Sequence, residues 1–157
     1  MKSRGDRFFV FIIALAISFG VAFIGSLITQ EQVESDWYKS IKPGITPPDF
    51  VFPAVWNILF FLLALSMTFS WIFAHTKNQK QKVIWVYGIN LLLNLLWSFF
   101  YFGLHNPLLA FIDILALIIS IVAIMKVNWN MSRVSFWLIL PYLIWVCFAA
   151  VLNFLSI

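Results

Sequence analysis

Apolar positions in this chain do not alternate with polar ones at the spacing of a half-buried strand or of a surface helix. They run on almost without interruption. Five such stretches, at about 8–28, 51–74, 83–104, 107–125 and 134–155, meet or approach the ~20 apolar residues that a helix needs to cross a bilayer. Within them the one formally charged side chain is Asp113. Hydrocarbon offers no partner to a backbone amide, so unbroken runs of this length predict helices that pair their own backbone, not barrel strands. The pattern predicts an all-α protein, a single domain over residues 1–157 built as a bundle of five transmembrane helices. No internal repeat is visible, and five spans do not divide into two inverted halves.

Composition supports this. Apolar types make up 63% of the 157 residues and charged types 10%, against roughly 25% charged in soluble proteins. A water-facing surface cannot be built from that material, which excludes a cytosolic enzyme, a nucleic-acid-binding domain and a disordered tail. The basic residues mark topology. Lys2, Arg4 and Arg7 at the N-terminus, Lys77, Lys80 and Lys82 in the second linker, and Lys126 and Arg133 in the fourth fall on one side of the membrane; only Lys39 and Lys42 fall on the other. The positive-inside rule then predicts a cytoplasmic N-terminus and an outer C-terminus, and helical spans favour a plasma or inner membrane. A rival reading makes the first span a secretory signal with a cleavage site near Ala14-Leu15-Ala16, but its apolar run exceeds the usual 7–15 residues of a signal core.

The first linker, about 29–50, is long for a connection and reads EQVESDWYKSIKPGITPPDF after its first two residues. Trp37, Tyr38, Ile41 and Ile45 give it apolar surface to bury, while Pro43, Pro47 and Pro48 stiffen it. It reads as a lid over the outer mouth of the bundle, with an interfacial anchor as the plain alternative. Of eight tryptophans, Trp71, Trp85, Trp129 and Trp137 fit an aromatic belt at the cytoplasmic interface. Trp56, Trp97 and Trp145 lie deeper, where an indole N–H needs an acceptor, so they are expected to face the interior, as core or as the walls of a cavity.

Polar residues inside the spans agree. Asn90, Asn94, Trp97 and Tyr101 share one face of the third span. Trp137, Pro141, Trp145 and Ala149 form a stripe on the fifth, with Pro141 expected to kink it, and Asn57 and Asn153 add polar atoms near the outer end. Such groups either join helices or meet a ligand. Asp113 has three readings: a structural hydrogen bond, a ligand contact or a proton relay. Other chemistry lacks its residues. There is no phosphate-binding glycine loop, His75 and His105 lie in linkers, and Cys147 is alone, so no metal site and no cofactor are expected.

Taken together these motifs resemble the translocator protein family, also called the peripheral benzodiazepine receptor or tryptophan-rich sensory protein family. WYKSIKPGITPPDFVFPAVW resembles its first loop and second helix. NLLWSFFYFGLHNPLLAFIDI resembles its third-to-fourth-helix segment, with Asn94, Trp97, Phe99, Pro107, Ala110 and Asp113 in the family's places, and WLILPYLIWVCFAAVLNF its fifth helix, with Pro141, Tyr142, Trp145, Ala149, Leu152 and Asn153. The resemblance implies a five-helix bundle, commonly a homodimer, with a cavity beneath the first loop that binds porphyrins such as protoporphyrin IX and, in some members, sterols or benzodiazepine-type ligands. By position the lining is Tyr38, Pro47, Trp56, Asn94, Trp97, Trp145 and Ala149, to which the residues themselves add Asp113. Some bacterial relatives degrade porphyrin in light, which would make Trp56 and Trp145 the reactive side chains. Two departures stand out: the gap between Trp37-Tyr38 and Lys42-Pro43 is one residue short, and the tail VLNFLSI lacks the tyrosine and basic residue of the proposed cholesterol motif.

Two functions from different classes therefore compete. One is a receptor or transport protein for a porphyrin or another flat, hydrophobic small molecule, with Lys39, Lys42 and the asparagines meeting its carboxylates. The other is an enzyme that consumes porphyrin photochemically through Trp56 and Trp145. A proton-coupled exporter using Asp113 ranks behind both.

Overall fold

The computed structural model describes residues 4–157; Lys2, counted above on the basic side, lies outside them. The described residues form six α-helices and no strand: α1 (Arg4–Thr29), α2 (Asp36–Ile41), α3 (Val51–Phe73), α4 (Lys77–Ser98), α5 (Pro107–Met131) and α6 (Arg133–Phe154). A π-helical turn, Phe99–Gly103, prolongs α4. Five of the helices are long and apolar enough to cross a membrane, and α2 is the short exception, in the first linker.

The span boundaries differ from the hydropathy pattern at the basic end, where polar residues continue the helices beyond the apolar runs. Thr76 starts α4 six residues early with a capping box: its hydroxyl accepts from the Gln79 amide while the Gln79 side chain accepts from the Thr76 amide. Ser132 alone separates α5 from α6. Its amide donates to the Asn128 carbonyl at the end of α5, and its hydroxyl accepts from the Ser135 amide at the start of α6. At the other end Asn106 caps α5 through the Leu109 amide, and Pro107 occupies the first turn, where its missing N–H costs nothing.

Packing closes the five long helices into a ring in the order α1, α3, α6, α5, α4, returning to α1. The outward faces are apolar, with Phe8, Phe23, Ile58, Trp85, Ile119, Trp137 and Ile144 all exposed, as a lipid-facing surface requires. Inside, the two halves of the ring differ. In the half nearest the basic termini the ring is filled by a polar hub around Tyr87. The Tyr87 hydroxyl lies 2.7 Å from Ser66 Oγ and 2.9 Å from Ser70 Oγ, and accepts from Asn128 Nδ2 at 2.9 Å. Beside it Ser66 donates to the Ser135 carbonyl and Ser135 donates back to the Ser66 carbonyl, at 2.9 and 3.0 Å. One knot of side chains thus ties α3, α4, α5 and α6 together in a place where water cannot compete. Higher up, Asn90 donates to Ser120 on α5 and accepts from the Tyr142 hydroxyl on α6.

The Tyr87 hub makes a stability prediction. Tyr87→Phe leaves several buried polar atoms short of a partner, and the expected cost is about 1–2 kcal/mol. Trp85→Phe, on the lipid-facing side of the same helix, should change stability by less than about 0.5 kcal/mol. Thermal melts of the two variants in one detergent test the contrast.

Candidate functional site

In the other half the ring is hollow. A cavity of about 450 Å³ opens between α1, α3, α4, α5 and α6 and is covered by the first linker. Its walls are mainly apolar: Val21 and Ala22 from α1, Phe52, Trp56 and Phe60 from α3, Trp97 from α4, Ile114 and Leu117 from α5, and Val146 and Ala149 from α6.

The roof is built by local geometry. Ser35 caps α2 by accepting from the Tyr38 amide at 3.2 Å. That turn points Tyr38 down onto Tyr101 and Phe102, with ring centroids 6.5 and 5.5 Å away. The π turn makes this possible. Its widened path, in which Leu104 N–H donates to the Phe99 carbonyl at 2.8 Å, buries two consecutive aromatic residues, Tyr101 and Phe102, against the loop. Trp37 stacks on His105 at 4.2 Å, and His105 Nε2 lies 2.8 Å from Gln32 Oε1. His105 has a φ of 50°, a left-handed conformation that costs a non-glycine residue energy, so these two contacts hold it under strain. The first linker therefore contains a helix, docked because an amphipathic turn covers the aromatic end of α4.

Of the residues singled out in the sequence, Tyr38, Trp56, Asn94, Trp97 and Ala149 line the cavity together. Trp97 donates its indole N–H to Asn153 Oδ1 at 2.9 Å, and Asn153 in turn donates to the Pro107 carbonyl. Asn94 lines the cavity and also donates to the Tyr142 hydroxyl, so it joins helices as well as facing the space. Pro47, Asp113 and Trp145 do not line it. Pro47 lies in the roof between Thr46 and Asp49, which do. Asp113 stands one step round α5 from Ile114 and is buried within interaction range of Tyr142 on α6. Trp145 meets the edge of Phe52 at 5.8 Å, and it is Phe52 that faces the cavity. The stripe on the fifth span also turns out of the bundle, since Trp137 and Pro141 are exposed and only its Trp145–Ala149 end reaches inward.

The charge at the rim reverses what the sequence suggested. Lys39 pairs with Glu34 and Lys42 with Asp49. The two carboxylates, not the two ammonium groups, belong to the cavity lining. Thr46 also lines it, and its Oγ1 is buried without a hydrogen-bond partner among the described residues. No group of three His, Cys, Asp or Glu side chains gathers to hold a metal among the described residues. The residues that sequence reasoning missed are Gln32 and His105, which latch the roof, and Phe52, which screens Trp145. The signal available was position: His105 lies in the third linker, on the same side of the membrane as the first.

A five-helix membrane bundle with a roofed, tryptophan-walled cavity defines the class of protein. The family model for the TspO/MBR family matches residues 12–156, and the chain belongs to that family. It is 37% identical over 149 residues to the tryptophan-rich protein TspO of Chlorobaculum tepidum, covering 91% of this chain and 93% of that one. To the tryptophan-rich protein TspO of Archaeoglobus fulgidus it is 36% identical over 135 residues, 85% and 86% of the two chains. To the human translocator protein it is 30% identical over 143 residues, 89% and 83%.

Two predictions follow from the roof. Burial, with Tyr101 and Asp49 adding to it, pushes the Tyr38 phenol up to about 12, from about 10 in an unfolded chain. Docking gains from the neutral phenol fully below the lower value and loses that gain as pH rises through the upper one. The difference between the phenolate absorbance titrations of the protein and of Tyr38→Phe should show a tyrosine that ionises at about 12. His105→Ala removes the stack on Trp37 and the Gln32 contact, and amide exchange across residues 32–42 should accelerate about tenfold, while the Tyr87 hub stays protected.

Proposed function

We propose that this protein is a receptor or transport protein that binds a flat, largely apolar small molecule of the tetrapyrrole kind in the roofed cavity. The observation that carries the reading is the cavity itself. Its volume lies within the range of small-molecule sites, and Trp56 and Trp97 stand in its wall on two helices that are not neighbours in the ring. Two aromatic faces with apolar surface between them suit a planar ring, and Thr46 and Asn57 offer polar contacts near the mouth. Relatives named translocator protein and tryptophan-rich sensory protein are consistent with ligand handling. The excess of basic residues on the side away from the roof supports a cavity that opens outward, with the N-terminus cytoplasmic in a plasma or inner membrane. The family resemblance adds a homodimer.

The photochemical alternative has less support. Trp56 meets the cavity directly, but Trp145 stands behind Phe52, so only one of its two reactive indoles would touch a bound ring.

Quenching of tryptophan fluorescence by protoporphyrin IX tests the reading. In the dark, quenching should saturate, and Trp56→Phe should weaken binding about threefold to tenfold, with a smaller effect from Trp145→Phe. Linear quenching, equal in all variants, would mean partition into detergent and would remove the pocket assignment. A light-dependent product lost in Trp56→Phe would move the reading to an enzyme. Because carboxylates face the cavity and both lysines are paired, the porphyrin dimethyl ester should bind at least as tightly as the free acid.

A further inference from the structure

A second recess lies on the outside of the bundle, at the opposite end from the roofed cavity. It is a groove of about 510 Å³ between the last turns of α5 and the first half of α6. Val122, Met125, Phe136 and Leu143 form its apolar floor, and Lys126, Trp129 and Asn130 stand at its polar end. Arg133 lies against the same corner, its guanidinium carbon 3.3 Å from the centre of the Trp129 ring. The ring stack fixes the guanidinium in place, and Phe136 packs edge-on against the other partner of that stack, Trp129, at 5.0 Å. Lys126 is exposed, and neither it nor Arg133 has a carboxylate partner among the described residues.

We propose that this groove is a binding site for one anionic phospholipid. The acyl chain lies along the floor, which faces the hydrocarbon like the rest of the outer surface. The phosphate sits at the polar end, between the Lys126 ammonium and the Arg133 guanidinium, with the Asn130 amide as a neutral donor. Three features distinguish the place from a general excess of positive charge. Lys126 lines the groove, Arg133 is held beside it by the aromatic face of another lining residue, Trp129, and an apolar floor adjoins both. Basic pockets between transmembrane helices on the positive side of a membrane are the usual form of such sites.

The test uses the full chain in a neutral detergent, with phosphatidylglycerol and phosphatidylcholine carrying the same brominated acyl chains. Bromine quenches an indole it touches, so the component of quenching lost in Trp129→Phe reports occupancy of the groove. Brominated phosphatidylglycerol should quench that component at lower concentration than phosphatidylcholine, by about fivefold for each cation engaged. Lys126→Gln, a change at an exposed side chain that leaves the core untouched, should lose about fivefold of the preference, and Lys126→Arg should keep it. Adding Arg133→Gln should abolish what remains, with unchanged helix content by circular dichroism. Equal quenching by the two lipids in the unaltered protein, or a preference that survives Lys126→Gln in full, overturns the proposal. Neither outcome depends on what the roofed cavity binds.

Discussion

A polar side chain in hydrocarbon has no water to fall back on, so it binds its neighbours to whatever partner it finds. Tyr87 is where that constraint bears hardest on this bundle. Its hydroxyl gathers Ser66, Ser70 and Asn128 from two other helices, and the reciprocal serine bonds between α3 and α6 close the knot. With one end of the ring fixed in this way, the helices need not converge at the other. The hollow half is held at the width the hub sets, and the aromatic and aliphatic side chains that would otherwise fill it become a lining.

What the sequence reveals and what it hides divide along physical lines. Five spans, their number and their helical character follow from unbroken apolar runs, because a bilayer leaves few alternatives. Depth was legible too: Trp56 and Trp97, placed inside by their distance from the span ends, do face the interior. Direction was not. Asp113 and Trp145 were deep enough to reach a cavity, yet each stands one side chain away from it, behind a register that a helical repeat alone does not resolve. Charge misled for a different reason. Lys39 and Lys42 can be counted in the sequence, but their pairing with Glu34 and Asp49 depends on how a proline-rich loop folds back. The polar hub escaped notice because its members are scattered over four helices and none is unusual alone.

The roof shows how a long connection can be ordered without a core of its own. α2 has six residues, too few to be stable in isolation. It persists because Tyr38 and Trp37 settle on aromatic rings that the π turn at the end of α4 pushes together, and because His105, in a strained backbone conformation, reaches back to it. The order of the loop is borrowed from the helix ends beneath. Lifting the roof would break those few contacts and leave the hydrogen bonds of the bundle untouched.

The hub has a consequence for traffic. Tyr87 and its partners, buried and bonded to one another, occupy the ring below the hollow half and give the cavity a floor. Any guest entering through the mouth would have to leave by the mouth, or sideways between helices into the lipid. Occupancy would then sample one compartment at a time for as long as the hub stays tied. Continuous passage from one face to the other would require the most firmly tied part of the molecule to come undone.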